Sequence, residues 1–178
     1  MRWILALSII IVGITDSLSA GDANSQGLEC VFQFSAEPVC SYRSGKHDVV
    51  VKLQTKKLAE DELVLVRAHV VYNGRSHVLP LSPEVSMVAG NVGVVSFADI
   101  NFDNVPDLAV STSFGIANQY FDYWTYDPIG NSYITTGNYP KLAPRRADKT
   151  LSATVKLDAA NHEQQTYSWM TGRLIRKR

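Results

Sequence analysis

Four oxygen-bearing side chains stand at positions 1, 3, 5 and 9 of one short segment: Asp99, Asn101, Asp103 and Asp107. A calcium ion takes six to eight oxygens, and a loop with carboxylate or amide at those positions, plus the backbone carbonyl at position 7, here Val105, wraps round one cation. Position 6 is normally glycine because the chain turns there with positive φ, and Asn104 is the next most tolerant residue type. The twelfth position is Val110, so the bidentate glutamate of an EF-hand is missing, and the shell must be completed by water or by a residue from elsewhere. Calcium is the expected cofactor. Two other readings stand beside it. Without a metal the same residues form a polar turn whose side chains accept from the backbone, and three crowded carboxylates then repel one another. Two of the aspartates acting as acid and base would instead make a hydrolase.

Other chemistry-bearing residues are sparser. Tyr120, Asp122, Trp124 and Tyr126 alternate along one face of a strand, as a sugar-stacking platform or, more simply, as core and cross-strand packing. His47, His69, His77 and His162 lack metal-ligand spacing, although His69 and His77 fall on paired strands. No Gly-x-Ser-x-Gly, phosphate loop or Cys/His nucleophile arrangement is present. Cys30 and Cys40 are the only cysteines, without Cys-x-x-Cys spacing, and in an oxidising compartment they are expected to join. The basic residues Arg145-Arg146 and Arg173 with Arg176-Lys177-Arg178 read as solvated strand ends. The chain is therefore not expected to be an enzyme.

The elements that must position these residues are strands. In Glu62 to Tyr72 the residues Val64, Val66, Ala68, Val70 and Tyr72 alternate with a set containing Arg67 and His69, and Asn73-Gly74 then supplies a tight hairpin turn into Ser76 to Leu81. Asp48 to Thr55, Val92 to Ala98, Asp107 to Ser113 and Tyr120 to Tyr126 are further predicted strands, the last closed by the turn Asp127 to Asn131. Leu151 to Leu157, and Thr166 to Met170 paired with Arg173 to Lys177, complete the set. Lys56 to Glu62 is at most one helical turn. No segment after residue 20 keeps a 3.6-residue period, so the expected fold is all-β, an antiparallel sandwich or barrel-like domain with no long helix.

Residues 1–20 read as an export signal: Arg2, an apolar run from Ile4 to Ile14, and small residues at Ser19-Ala20. Eleven residues rise only about 16 Å as a helix, short of the ~30 Å of hydrocarbon. Residues 21–178 are expected to form one β domain in the periplasm or outside the cell, residues 21–28 being a flexible segment and no stable membrane insertion remaining after cleavage. The 17 basic and 17 acidic side chains cancel, which argues against nucleic acid as a partner.

The strand, Asp-x-Asn-x-Asp-x-x-x-Asp loop and following strand from Val94 to Ser113 resemble the integrin-type calcium loops of FG-GAP repeats. Together with Ser113 to Tyr120, the aromatic strand Phe121 to Asp127, Tyr133 and the hairpin Tyr167 to Leu174, they also resemble exported bacterial proteins related to periplasmic lysozyme inhibitors, some of which are immunity proteins against effectors of a type IV secretion system. The resemblance spans residues 92–178. It implies a calcium-binding inhibitor that plugs the cleft of a lysozyme-like peptidoglycan hydrolase with a loop carrying Ser113, Phe114, Gly115, Asn118 and Tyr120, presented beside a calcium ion that anchors its base. The alternatives are an FG-GAP-like module in which calcium stiffens a recognition surface, and a metal-assisted glycan hydrolase using Asp99, Asp103 and Asp122.

Overall fold

The computed structural model describes residues 28–34, 37–114 and 118–177, with the side chains of residues 83–85 left aside; the expected export signal and Gly115 lie outside the described residues. Its regular elements are all strands: β1 (Leu28–Gln33), β2 (Val39–Ser44), β3 (His47–Ala59), β4 (Glu62–Tyr72), β5 (Arg75–Val88), β6 (Val92–Ala98), β7 (Asp107–Ser111), β8 (Tyr120–Asp127), β9 (Ser132–Pro140), β10 (Ala143–Arg145), β11 (Thr150–Lys156), β12 (His162–Met170) and β13 (Arg173–Arg176). They form three antiparallel sheets, ordered β1-β6-β7-β8-β9, β2-β3-β4-β5 and β10-β11-β12-β13. The all-β antiparallel expectation holds.

The five-stranded sheet lies in the middle. From one of its faces Val95, Phe97, Leu108, Val110, Trp124 and Tyr126 pack with Val49, Val51, Leu53, Leu65, Val70 and Leu79 of the β2–β5 sheet. From the other face Val94, Ala109, Phe121 and Tyr123 pack with Leu151, Ala153, Tyr167 and Leu174 of the β10–β13 sheet. Every residue of β7 is buried in consequence, as are Phe121 to Tyr126 of β8. This accounts for the apolar runs Val94-Val95 and Leu108-Ala109-Val110, which a strand with one wet face would not carry.

Two local readings are corrected. Lys56 to Glu62 forms no helical turn: β3 continues to Ala59, and β4 begins at Glu62. In β4 the inward residues are Leu63 and Leu65 before Ala68, Val70 and Tyr72. The register breaks between Leu65 and Arg67 toward both neighbouring strands, leaving Val66 unmatched. One extra residue in a period of two moves all residues before it to the opposite face, so Val64 does not share a face with Ala68.

The Cys30–Cys40 disulfide is present and ties β1, at the edge of the central sheet, to β2, at the edge of its neighbour. Closing a loop this short contributes about 2–3 kcal/mol in the chain-entropy account. This bond is compatible with an exported protein, and no helix among the described residues is long and apolar enough to cross a membrane.

Tyr123, 4% exposed between the central sheet and the β10–β13 sheet, donates to the Pro140 carbonyl and accepts from the Leu142 N–H at 2.8 Å. Burial raises its pKa, only partly opposed by the Leu142 N–H. A tyrosine whose pKa is raised by folding keeps its proton longer folded than unfolded, so its contribution is intact below pH ~10 and is lost as pH climbs beyond it. At high pH, tyrosinate absorbance should therefore report fewer than the chain's 8 tyrosines until the fold opens, with the remainder ionising as near-ultraviolet circular dichroism is lost. Ionisation of all of them with the fold intact would contradict this placement.

Candidate functional site

The loop from Asp99 to Pro106 joins β6 to β7 and turns through two left-handed residues, Phe102 (φ 63°) and Asn104 (φ 66°). Asn104 thus adopts the conformation expected of the sixth loop position. Asp99, 9% exposed, accepts the Asp103 N–H through Oδ1 and the Asn104 N–H through Oδ2, each at 3.0 Å. The Asn101 side chain accepts the Asp103 N–H at 3.2 Å and donates to Asp103 Oδ2 at 2.9 Å, while Asp103 Oδ1 accepts the Val105 N–H at 2.8 Å. Asp107, 1% exposed, takes the Ile100 N–H on Oδ2 and the Tyr126 N–H on Oδ1, so one carboxylate secures both the loop and β8. Burial pushes its pKa well above the ordinary carboxylate range, the amides of Tyr126 and Ile100 pull it back, and the charges of Asp103 and Asp99 push it further up.

A cation already reaches this loop. Arg146, in the turn between β10 and β11, places Nη2 3.2 Å from Asp99 Oδ2 and Nη1 3.2 Å from Asn104 Oδ1. It is not merely a solvated strand end, and its partner lies 47 residues away in sequence, beyond any local pattern. His47, from the β2–β3 hairpin, also meets the loop: its ring bonds to the Asn104 backbone and lies 2.6 Å from the Tyr72 hydroxyl, with burial lowering its pKa. Among the described residues no group of three or more His, Cys, Asp or Glu side chains converges as a preformed metal cluster. The carboxylates instead face N–H groups of the loop and of β8. A carboxylate offers about four acceptor sites. Asp103 and Asp107 each accept two of these bonds, and the Val105 carbonyl sits in the same loop, so acceptor capacity for a hard cation remains.

The expected contact loop is elsewhere. It follows β7, whereas the aspartate loop precedes it, and β7 holds five residues; at ~3.3 Å per residue the two are separated by roughly 16 Å. A metal in the first loop therefore does not sit at the base of the second, which corrects the expectation that calcium anchors it. The second loop is rooted by side chains turned inward. Ser113 Oγ donates to the Asn118 carbonyl at 2.9 Å and accepts the Tyr120 N–H at 2.8 Å. Asn118 bonds the Lys156 carbonyl and N–H of β11, and Thr112 N–H donates to the Tyr120 carbonyl. Phe114 packs on the core, and Tyr120 is half-buried.

Asp122 belongs to this end as well. Its carboxylate accepts the Ser82 N–H and hydroxyl, each at 2.6 Å, and the Asn138 amide at 2.8 Å; the same amide reaches Thr112 Oγ1. The hydrolase trio of Asp99, Asp103 and Asp122 is thus split between two networks. Trp124 and Tyr126, at 1% and 4% exposure, are core rather than platform. Opposite Trp124, β9 carries a bulge at Thr136-Gly137, with Gly137 at φ 126°. The glycine inside an otherwise extended Thr-Thr-Gly-Asn run was the available signal for it. Nothing local in the sequence connects Ser82 to Asp122.

Compared with known proteins, the chain matches no family model, and no curated protein or solved structure matches it significantly.

Proposed function

We propose that this chain is an exported, non-enzymatic binding protein that blocks a lysozyme-like peptidoglycan hydrolase with the loop between β7 and β8, and that calcium occupies the Asp99–Asp107 loop. The observation that supports the binding reading is the rooting of residues 112–113 and 118–120 on either side of the loop. Hydrogen bonds from Thr112, Ser113 and Asn118 hold both ends of the loop to β8 and β11. Ends held this way need no further ordering when the loop docks, which favours insertion into a cleft. Ser113 and Asn118 act as its positioning residues, so contacts to a partner come from the backbone and from Thr112, Gln119 and Tyr120.

The FG-GAP-like alternative draws support from the separation of the two loops, since a cation some 16 Å away along β7 stiffens the sheet without touching the partner. The discriminating experiment is inhibition of a panel of lysozyme-like hydrolases by the purified protein at micromolar concentration with calcium present. The expected result is loss of one activity at equimolar protein, abolished by the bulky substitution Gln119→Trp at an exposed position of the loop while the melting temperature is retained. Failure to inhibit any member of a broad panel would overturn the inhibitor reading and leave the recognition module.

A further inference from the structure

Between β5, β8 and β9 lies a cavity of 180 Å³ lined by Pro80, Leu81, Ser82, Asp122, Trp124, Thr135, Gly137 and Asn138. Pro80, Thr135 and Asn138 are exposed at its rim, whereas Leu81, Asp122 and Trp124 are buried at 7%, 6% and 1% exposure. The bulge in β9 lies in its wall: the ladder skips Thr136 between the Tyr123–Gly137 and Trp124–Thr135 pairs. Bulges recur beside binding sites because they interrupt pairing and re-aim side chains.

The chemistry of the floor is one-sided. Asp122 is held by neutral donors only, the Ser82 N–H, the Ser82 hydroxyl and the Asn138 amide. Among the described residues no Lys, Arg or His forms an ion pair with it, although ion pairs occur at six other places. Buried charges are ordinarily paired, because a counter-charge offsets the lost hydration. Three bonds leave one acceptor site of the carboxylate unused. The carboxylate attracts an ammonium or guanidinium group through its charge, and Trp124 beside it adds aromatic surface to the lining. At ~30 Å³ per water the cavity holds roughly six waters, room for one cationic head and its last methylenes but not for a drug-sized ligand. A bound metal does not fit as well, since two of the three groups facing the carboxylate present N–H donors and a hard cation needs converging oxygens.

We propose that this cavity is an anchoring pocket for a lysine or arginine side chain of a protein partner. It shares the Asn138 amide with Thr112, so an occupant sits next to the start of the proposed contact loop. The pocket does not rest on the identity of that partner, and its test uses free probes instead of a hydrolase. The indole N–H resonance of Trp124, assigned with Trp124→Phe, is followed on adding Nα-acetyl-lysine amide or Nα-acetyl-arginine amide, with Nα-acetyl-norleucine amide and N-acetylglucosamine as neutral comparators.

The expected result is a saturable shift with the two cations, half-complete in the millimolar range typical of one small ligand. That binding should weaken at least tenfold in Asp122→Asn and in the rim-filling Thr135→Leu. Thr135→Leu should keep the wild-type melting temperature, so it decides the matter if Asp122→Asn fails to fold. No shift with either cation, an equal shift with norleucine amide, binding of the sugar alone, or undiminished cation binding in Thr135→Leu would each overturn the proposal.

Discussion

Replacing Asp107 with alanine is expected to be among the most damaging single substitutions in the molecule, with a loss of about 4 kcal/mol. Its two oxygens are the acceptors for the Ile100 and Tyr126 N–H groups, and the residue is 1% exposed. Alanine leaves both amides buried without partners, at ~1–3 kcal/mol each. Removing the charge returns part of this, because burial and the neighbouring charges of Asp103 and Asp99 already disfavour the ionised form. Asparagine keeps one acceptor and loses the charge, so Asp107→Asn should fall between wild type and alanine. Against a domain stability of ~5–15 kcal/mol, the alanine variant should show a large fall in the urea midpoint. Measured in chelator, the effect is independent of any metal. A loss under about 1 kcal/mol, the range of ordinary surface substitutions, would mean that these two bonds do not hold the loop to β8.

How far the sequence disclosed this arrangement depends on the range of each interaction. The Asn73-Gly74 hairpin and the boundaries of β6 were legible because turn chemistry and alternation act over a few residues. The left-handed Asn104 was legible for the same reason. The face carried by Val64 and Val66 was misread because a bulge leaves no mark in composition: Val66 is one valine among several, and only pairing shows it to be the extra residue. The opposite placement of the two loops was already implied, since an extended segment between two loops must put them at its two ends. The third layer was implied too, by the unbroken apolar run in β7 and by the burial-compatible Phe121 to Tyr126. Partnerships such as Arg146 with Asp99, or Ser82 with Asp122, span 47 and 40 residues and have no local signature. They arise from sheet stacking, which a periodicity argument does not reach.

Arg146 makes the calcium proposal quantitative. Its guanidinium is the counter-charge of Asp99 in the metal-free chain, and calcium must share or displace that contact. The arginine side chain is 54% exposed although that of Asp99 is only 6%, so the pair contributes about 1 kcal/mol, the upper end of the range for exposed pairs and still little enough for a divalent ion to overcome. Arg146→Ala should therefore lower the metal-free melting temperature slightly and raise calcium affinity several-fold, because a competitor has been removed. At a hundredfold excess over its dissociation constant, calcium should stabilise the wild type by about 2.7 kcal/mol, a rise of roughly 5–10 °C in a chain of this size. Asp99→Ala and Asp103→Ala should abolish the response, and magnesium, with its stricter octahedral demand, should give much less. A melting temperature indifferent to calcium in both wild type and Arg146→Ala would reduce the loop to a turn neutralised by arginine. Because β7 separates this loop from the Asp122 pocket, calcium saturation should leave the lysine-amide affinity unchanged even as it raises the melting temperature. A strong dependence of one on the other would require β7 itself to shift, and its five residues are buried on both faces.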